Sequence, residues 1–220
     1  MSGIRLRGAL LVGGAILAAG ICWAAKSYMP PRAFPAKTYP ARDEHANEMV
    51  TIAADPYDLP DKASIFVLPY RERGYLPIFL IITNDGDTPV PLVRMEIQLV
   101  TANRTKISPA TADDIYRRFV RVKRGDDPTR NPLPIPRSRK PQAGLGKEAT
   151  EEVQNAPFRA EAVEPHGTQA GFFFFDVGDI SQPLAGAHLY VSGLRDANGH
   201  DLMFFDIAME KYLTYRPATQ

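Results

Sequence analysis

Residues 74–100 run through an unbroken apolar block, a turn and an alternating block. Ile78, Phe79, Leu80, Ile81 and Ile82 stand in succession, and all but the leucine are β-branched or aromatic. Such side chains suit a pleated surface better than a helix. With no polar face left, a strand over 75–83 is expected to be central and covered on both sides. Asn84, Asp85, Gly86 and Asp87 follow as a turn, because Asx side chains bond their own backbone and glycine accepts a positive φ. Val93, Met95, Ile97 and Leu99 then alternate with Arg94, Glu96 and Gln98, a period of two with one wet face. The two blocks read as neighbouring strands of one antiparallel sheet.

The same patterns recur along the chain. Residues 49–54 (MVTIAA) form a short first strand, and Asp61 is placed to cap one helical turn over 61–66. Pro77 falls early enough in its strand to sit near an edge or a strand start. Thr111 with Asp114 three residues on resembles a capping box. Ile115, Phe119 and Val122 then recur at helical spacing, so 112–122 reads as an amphipathic helix. Residues 148–155 read as a helical turn or two, and 159–163 as a strand. After a turn at Pro165, His166 and Gly167, residues 169–177 contain Phe172, Phe173, Phe174 and Phe175. Four adjacent phenylalanines put two on each face, so this strand also has to be covered twice. Strands over 187–194 and 201–209 are joined by Asp196-Ala197-Asn198-Gly199, a hairpin signal. Seven short strands separated by turn residues, with one short packed helix, give a mainly β, antiparallel sandwich over residues 48–212.

In the blocks LPIFLIITNDGDTPVPL and FFFFDVGD, with the hairpin that follows, the chain resembles the immunoglobulin-like β-sandwich domains of exported bacterial proteins, many without an assigned activity. The resemblance is one of strand–turn–strand style over roughly residues 48–212. It departs from antibody domains in lacking their paired cysteines and the tryptophan between them. It brings no functional residue with it.

The N-terminal pattern sets an address. Arg5 and Arg7 precede an uncharged run over 8–25, and Lys26 closes it. A basic start before an apolar stretch is an export signal, and this stretch is just long enough to span a bilayer. Three fates stay open for residues 1–26: an uncleaved transmembrane anchor, a cleaved signal peptide, or a lipid anchor at Cys22. In each, the rest of the chain faces the extracytoplasmic, periplasmic side. Residues 27–47, with Pro30, Pro31, Pro35 and Pro40, read as an extended tether between membrane and domain. Residues 213–220 form a tail.

Net charge is +1, which names no partner, but its distribution is uneven. Between residues 117 and 140 nine lysines and arginines face only Asp126 and Asp127. A basic, proline-rich insertion at about 123–147 cannot build a core. Its candidate roles are contact with anionic lipid or docking as a polyproline ligand. Without aromatics for base stacking, it does not point to nucleic acid. Asn103-Arg104-Thr105 is a glycosylation sequon.

Catalytic signals are weak. The only cysteine, Cys22, lies in the apolar run. His45, His166, His188 and His200 have no partner histidine at a ligand spacing, and read as turn or surface residues. Asn84, Asp85 and Asp87, the set Asp196, Asn198 and Asp201, and Asp176 with Asp179 could supply oxygens to calcium. None has EF-hand spacing, and Asx residues are expected in turns anyway. The sequence therefore names no catalytic, cofactor or metal residue. It points to a non-catalytic exported or membrane-tethered module acting in binding or envelope assembly. Its partners are a protein or other envelope component and, through residues 1–26, the membrane. Two rivals remain: a carboxylate-based hydrolase or carbohydrate-acting enzyme using Asp113, Asp179 or Asp206, and a structural spacer whose basic insertion touches lipid.

Overall fold

The structure, a computed structural model, describes residues 27–123, 144–196 and 198–215. Among these it is mainly β, with ten strands in antiparallel sheets and four helices. Strands β1 (Arg42–His45), β2 (Val50–Pro56), β3 (Tyr75–Asn84) and β8 (Thr168–Asp176) form one sheet in the order β1-β2-β3-β8. A second sheet has the order β10-β9-β5-β6, from β5 (Glu96–Val100), β6 (Lys106–Ile107), β9 (His188–Ser192) and β10 (Phe205–Ala208). The short β4 (Val90–Pro91) pairs with β7 (Ala162–Val163). The helices are α1 (Pro60–Ala63), α2 (Ala112–Lys123), α3 (Lys147–Asn155) and α4 (Glu210–Leu213).

All ten residues of β3 are buried, because β2 and β8 flank it and both of its faces are covered. On one face Ile52, Ile78, Leu80 and Ile82 meet Leu99, Leu189, Val191 and Ile207 of the second sheet. On the other, Phe79, Ile81, Phe172 and Phe174 lie under Phe66 and Tyr70, under Ile115 and Phe119 of α2, and under Val153 of α3. The rings interlock: Phe66 lies 4.9 Å from Phe172, and Tyr70 lies 4.5 Å from Phe174. Burying each such side chain stabilises by about 1.5–3 kcal/mol, and a well-placed ring pair adds about 0.5–1.5 kcal/mol. Phe175 turns to the inter-sheet core with Phe173 packed against it, so the four phenylalanines divide as their alternation requires.

Two of the sheet edges are partly covered. Beside β8, Ala110 donates to the Phe174 carbonyl at 2.7 Å and Phe158 to the Phe172 carbonyl at 3.0 Å. At the opposite side Asp43 of β1 accepts from the Asp206 amide of β10 at 2.8 Å, and His45 stacks on Phe205 at 3.9 Å. Capping of this kind withholds a sheet edge from strand addition.

Every expected strand has a counterpart, but several expectations need correction. β3 and β5 are not neighbours; they belong to opposite sheets, and β3 pairs instead with β2 and β8. The linker between β3 and β5 carries β4 and crosses from one sheet to the other, so the turn at 84–87 closes no hairpin. β5 begins at Glu96, leaving Val93 81% exposed. Asp61 does not cap α1; Leu59 occupies that position and Pro60 opens the helix, since its missing amide costs nothing there. Beside the expected helix and the helical turns at 61–66 and 148–155, which correspond to α2, α1 and α3, a fourth helix, α4, was not expected, and Leu213, placed in the tail, closes it. The stretch 27–47 is not all tether: it includes a 3-10 turn (Ala36–Thr38) and β1, and Ala36 and Ala41 are fully buried. Prolines 30, 31, 35 and 40 keep the stretch extended, and extended chain can lie along a sheet as readily as leave it. Among the described residues no helix is long and apolar enough to cross a membrane. The anchor or signal expected over 1–26 and most of the basic insertion lie outside them.

Candidate functional site

Three cavities gather at the end of the sheets where β3 begins and β8 finishes. Gly74 initiates the site. It ends a 3-10 turn (Arg71–Arg73) at φ 77°, and a Cβ there would lie 2.7 Å from the Gly178 Cα. Only glycine combines that left-handed backbone with so close a crossing. The Val177 amide bonds the Gly74 carbonyl at 2.8 Å, which fixes where the chain leaves β8. Residues 177–187 then turn repeatedly, Ile180 bonding Val177 at 2.9 Å and Ala187 bonding Leu184 at 3.2 Å. Leu184 is buried in the inter-sheet core and pins the loop.

Between this loop, the start of β3 and the segment before α1 lies a cavity of about 530 Å³. Leu59, Leu76, Ile180, Leu184 and Leu213 give it an apolar lining, and Asp58 and Arg71 bring charge. The Asp58 carboxylate accepts from the Tyr212 hydroxyl at 2.7 Å. Burial, with Asp58 alongside, pushes the Tyr212 phenol well above its usual range, so it stays a donor. Arg71 also lines a smaller neighbouring cavity of about 290 Å³ under Phe66 and Tyr70. Among the described residues the Arg71 guanidinium has no ion pair and no hydrogen bond.

Tyr75 is shared with a second cavity of about 600 Å³, which holds two arginines and two aspartates. There the Arg118 guanidinium of α2 sits 4.6 Å from the centre of the Tyr75 ring. It donates to the Arg73 carbonyl at 3.0 Å and grips both oxygens of Asp176. A bidentate pair of this kind fixes orientation as well as charge. Burial raises the Tyr75 phenol, and Arg118 opposes that rise. In this second cavity both arginines are committed, since Arg117 pairs with Asp113.

The expected chemistry is scattered elsewhere. Asp113 points to Arg117, Asp206 lies 2.6 Å from His188, and Asp179 follows β8; none of the three lines the cavities described here. The Asx turns use their own oxygens: Asn84 accepts from the Gly86 amide at 2.9 Å, and Asp196 accepts from the amides of Asn198 and His200 at 2.8 Å. Asp85 pairs with Lys37, Asp87 with His166, and Asp201 with Arg195. Asp176 is held by Arg118. Among the described residues no group of three or more His, Cys, Asp or Glu could hold a metal ion. His45, expected in the tether, lies on β1 with its ring nitrogens 2.8 Å from Glu48 and 3.3 Å from Asp43.

The end cavity itself escaped the sequence. Its parts come from residues 58–59, 71–76, 177–185 and 213, and no spacing links them. The one local signal is the Gly74 and Gly178 pair. No family model, curated protein or solved structure matches the chain.

Proposed function

We propose that this chain is a non-catalytic, exported or membrane-tethered module with an immunoglobulin-like β-sandwich, working by binding at its end cavity as part of an envelope assembly. The strand order supports the fold reading. β2-β3-β8 opposing β10-β9-β5-β6 corresponds to strands A-B-E opposing G-F-C-C′ of that Greek-key plan, with β1 added at one edge and α2 and α3 inserted before strand E. The basic start and apolar run over 5–26 support the address.

The observation that carries the binding reading is the 530 Å³ cavity, within the range of small-molecule sites and built from loops on a rigid scaffold. Its lining contains no histidine and no cysteine, and its one carboxylate is already bonded to Tyr212. No base is hydrogen-bonded to the lining's one serine, Ser181, among the described residues, so the lining shows no activated nucleophile.

The test is native mass spectrometry of the full chain recovered from its own membranes, beside a Gln182→Trp variant. Gln182 is exposed and lines the cavity, so an indole there blocks the opening with little cost to folding. Wild-type protein is expected to carry a bound small molecule that the variant lacks. Equal retention by both, or none by either, counts against the reading.

A further inference from the structure

We infer that the end cavity takes an amphiphile with an apolar body and an anionic head, and that Arg71 reads the head. This deepens the binding reading above and rests on it. The lining is divided about evenly between apolar surface, from side chains such as Leu59, Leu76, Ile180, Leu184 and Leu213, and polar surface, so a wholly polar or wholly apolar ligand would leave part of it unmatched. Two lining residues carry charge, and their states differ. Asp58 already accepts the Tyr212 hydroxyl at 2.7 Å, and the Lys62 ammonium lies 4.8 Å from the centre of the same tyrosine ring. Arg71 is exposed and has neither an ion pair nor a hydrogen bond among the described residues, whereas Arg117 and Arg118 of the neighbouring cavity are committed. The group left to be answered is thus a guanidinium, whose planar fork suits a carboxylate or a phosphate.

Other ligand classes fit less well. A cation would meet Arg71 and find one ring, Tyr75, rather than an aromatic cage. A nucleic acid needs a basic track with stacking aromatics, and this lining has one cation. An added strand needs free backbone groups, but the amides of Val177, Ile180 and Ala187 are bonded within the loop and to Gly74.

The experiment is calorimetric titration of the full chain in nanodiscs of neutral lipid, with empty nanodiscs as the reference. The probes are hexanoate, hexanol and hexylammonium, which share one apolar body. Hexanoate is expected to bind saturably and at least about tenfold more tightly than either of the others. Arg71→Gln is expected to erase that preference while thermal unfolding stays at the wild-type midpoint, and Gln182→Trp to abolish binding of hexanoate altogether. Equal or tighter binding of hexanol or hexylammonium, or an unchanged hexanoate affinity in Arg71→Gln, overturns the anionic reading and leaves a binding cavity standing. If no probe binds while native mass spectrometry still finds a retained molecule, the ligand class is wrong and the cavity's role survives. If neither method finds a ligand, both readings fall.

Discussion

Asp114 and Thr111 exchange three hydrogen bonds at the start of α2. The Asp114 carboxylate accepts the Thr111 hydroxyl at 2.6 Å and its amide at 3.1 Å, and the Asp114 amide donates back to that hydroxyl at 3.2 Å. These bonds, led by the Thr111 hydroxyl, hold the Asp114 carboxyl below its ordinary range. A carboxyl depressed in the folded state adds stability above its unfolded pKa, and that stability is lost as pH falls through the folded value. Asp114→Asn should therefore lower the urea midpoint at neutral pH, and the gap to wild type should narrow as pH falls below the ordinary aspartate range and through the depressed folded value. A gap that stays constant across that range would detach the effect from ionisation. This cap was legible because both partners lie within one helical turn. The commitment of Asp176 to Arg118 was not: the two residues stand 58 positions apart.

At the scale of elements, α3 is tied to the aromatic layer by a buried carboxylate. Glu152 is fully buried and accepts from the backbone amides of Val67 and Leu68, the latter at 3.0 Å. Phe66 and Tyr70, on either side of those amides, are the rings that cover Phe172 and Phe174. Glu152→Ala would strand the amides and loosen the cover. We expect a loss of about 2–4 kcal/mol in urea unfolding, from two lost charge-assisted hydrogen bonds. A loss under about 0.5 kcal/mol would show that water replaces the carboxylate at no cost. Nothing in the sequence marked Glu152, one of three nearby glutamates in a helix read as a turn or two. The strands were legible for the opposite reason: alternation and solid apolar runs are properties of consecutive residues. Their pairing was not, since β3 finds its ladder partners 22 residues upstream, Pro56 beside Ile78, and 93 downstream, Phe172 beside Phe79, while nearby β5 goes to the other sheet.

For the whole molecule, residues 27–41 separate the question of address from that of folding. Tyr28 stacks on Phe66 at 5.9 Å, the Ala36 amide bonds the Thr83 hydroxyl at 2.8 Å, and the Ala41 carbonyl accepts the Ala54 amide at 2.9 Å. A chain beginning at Ser27 should keep the wild-type thermal midpoint, whereas one beginning at Arg42 should melt several degrees lower, since each lost kcal/mol is worth about 2–8 °C. A reporter active only outside the cytoplasm, fused after Gln220, should lose its signal in both. Full reporter activity without residues 1–26 would refute export by that segment, and equal midpoints would return 27–41 to the role of a tether.

Local order along the chain was enough to establish a mainly β body with strands at the right places, a capped amphipathic helix and turns closed by Asx side chains. Each rests on interactions between residues a few positions apart, where spacing alone brings groups together. The sheet order, the aromatic layer over β3 and β8, and the cavity beside Arg71 exist because distant segments are held against one another by shared burial. Such contacts depend on how the chain crosses between sheets, and no period in the sequence records that path.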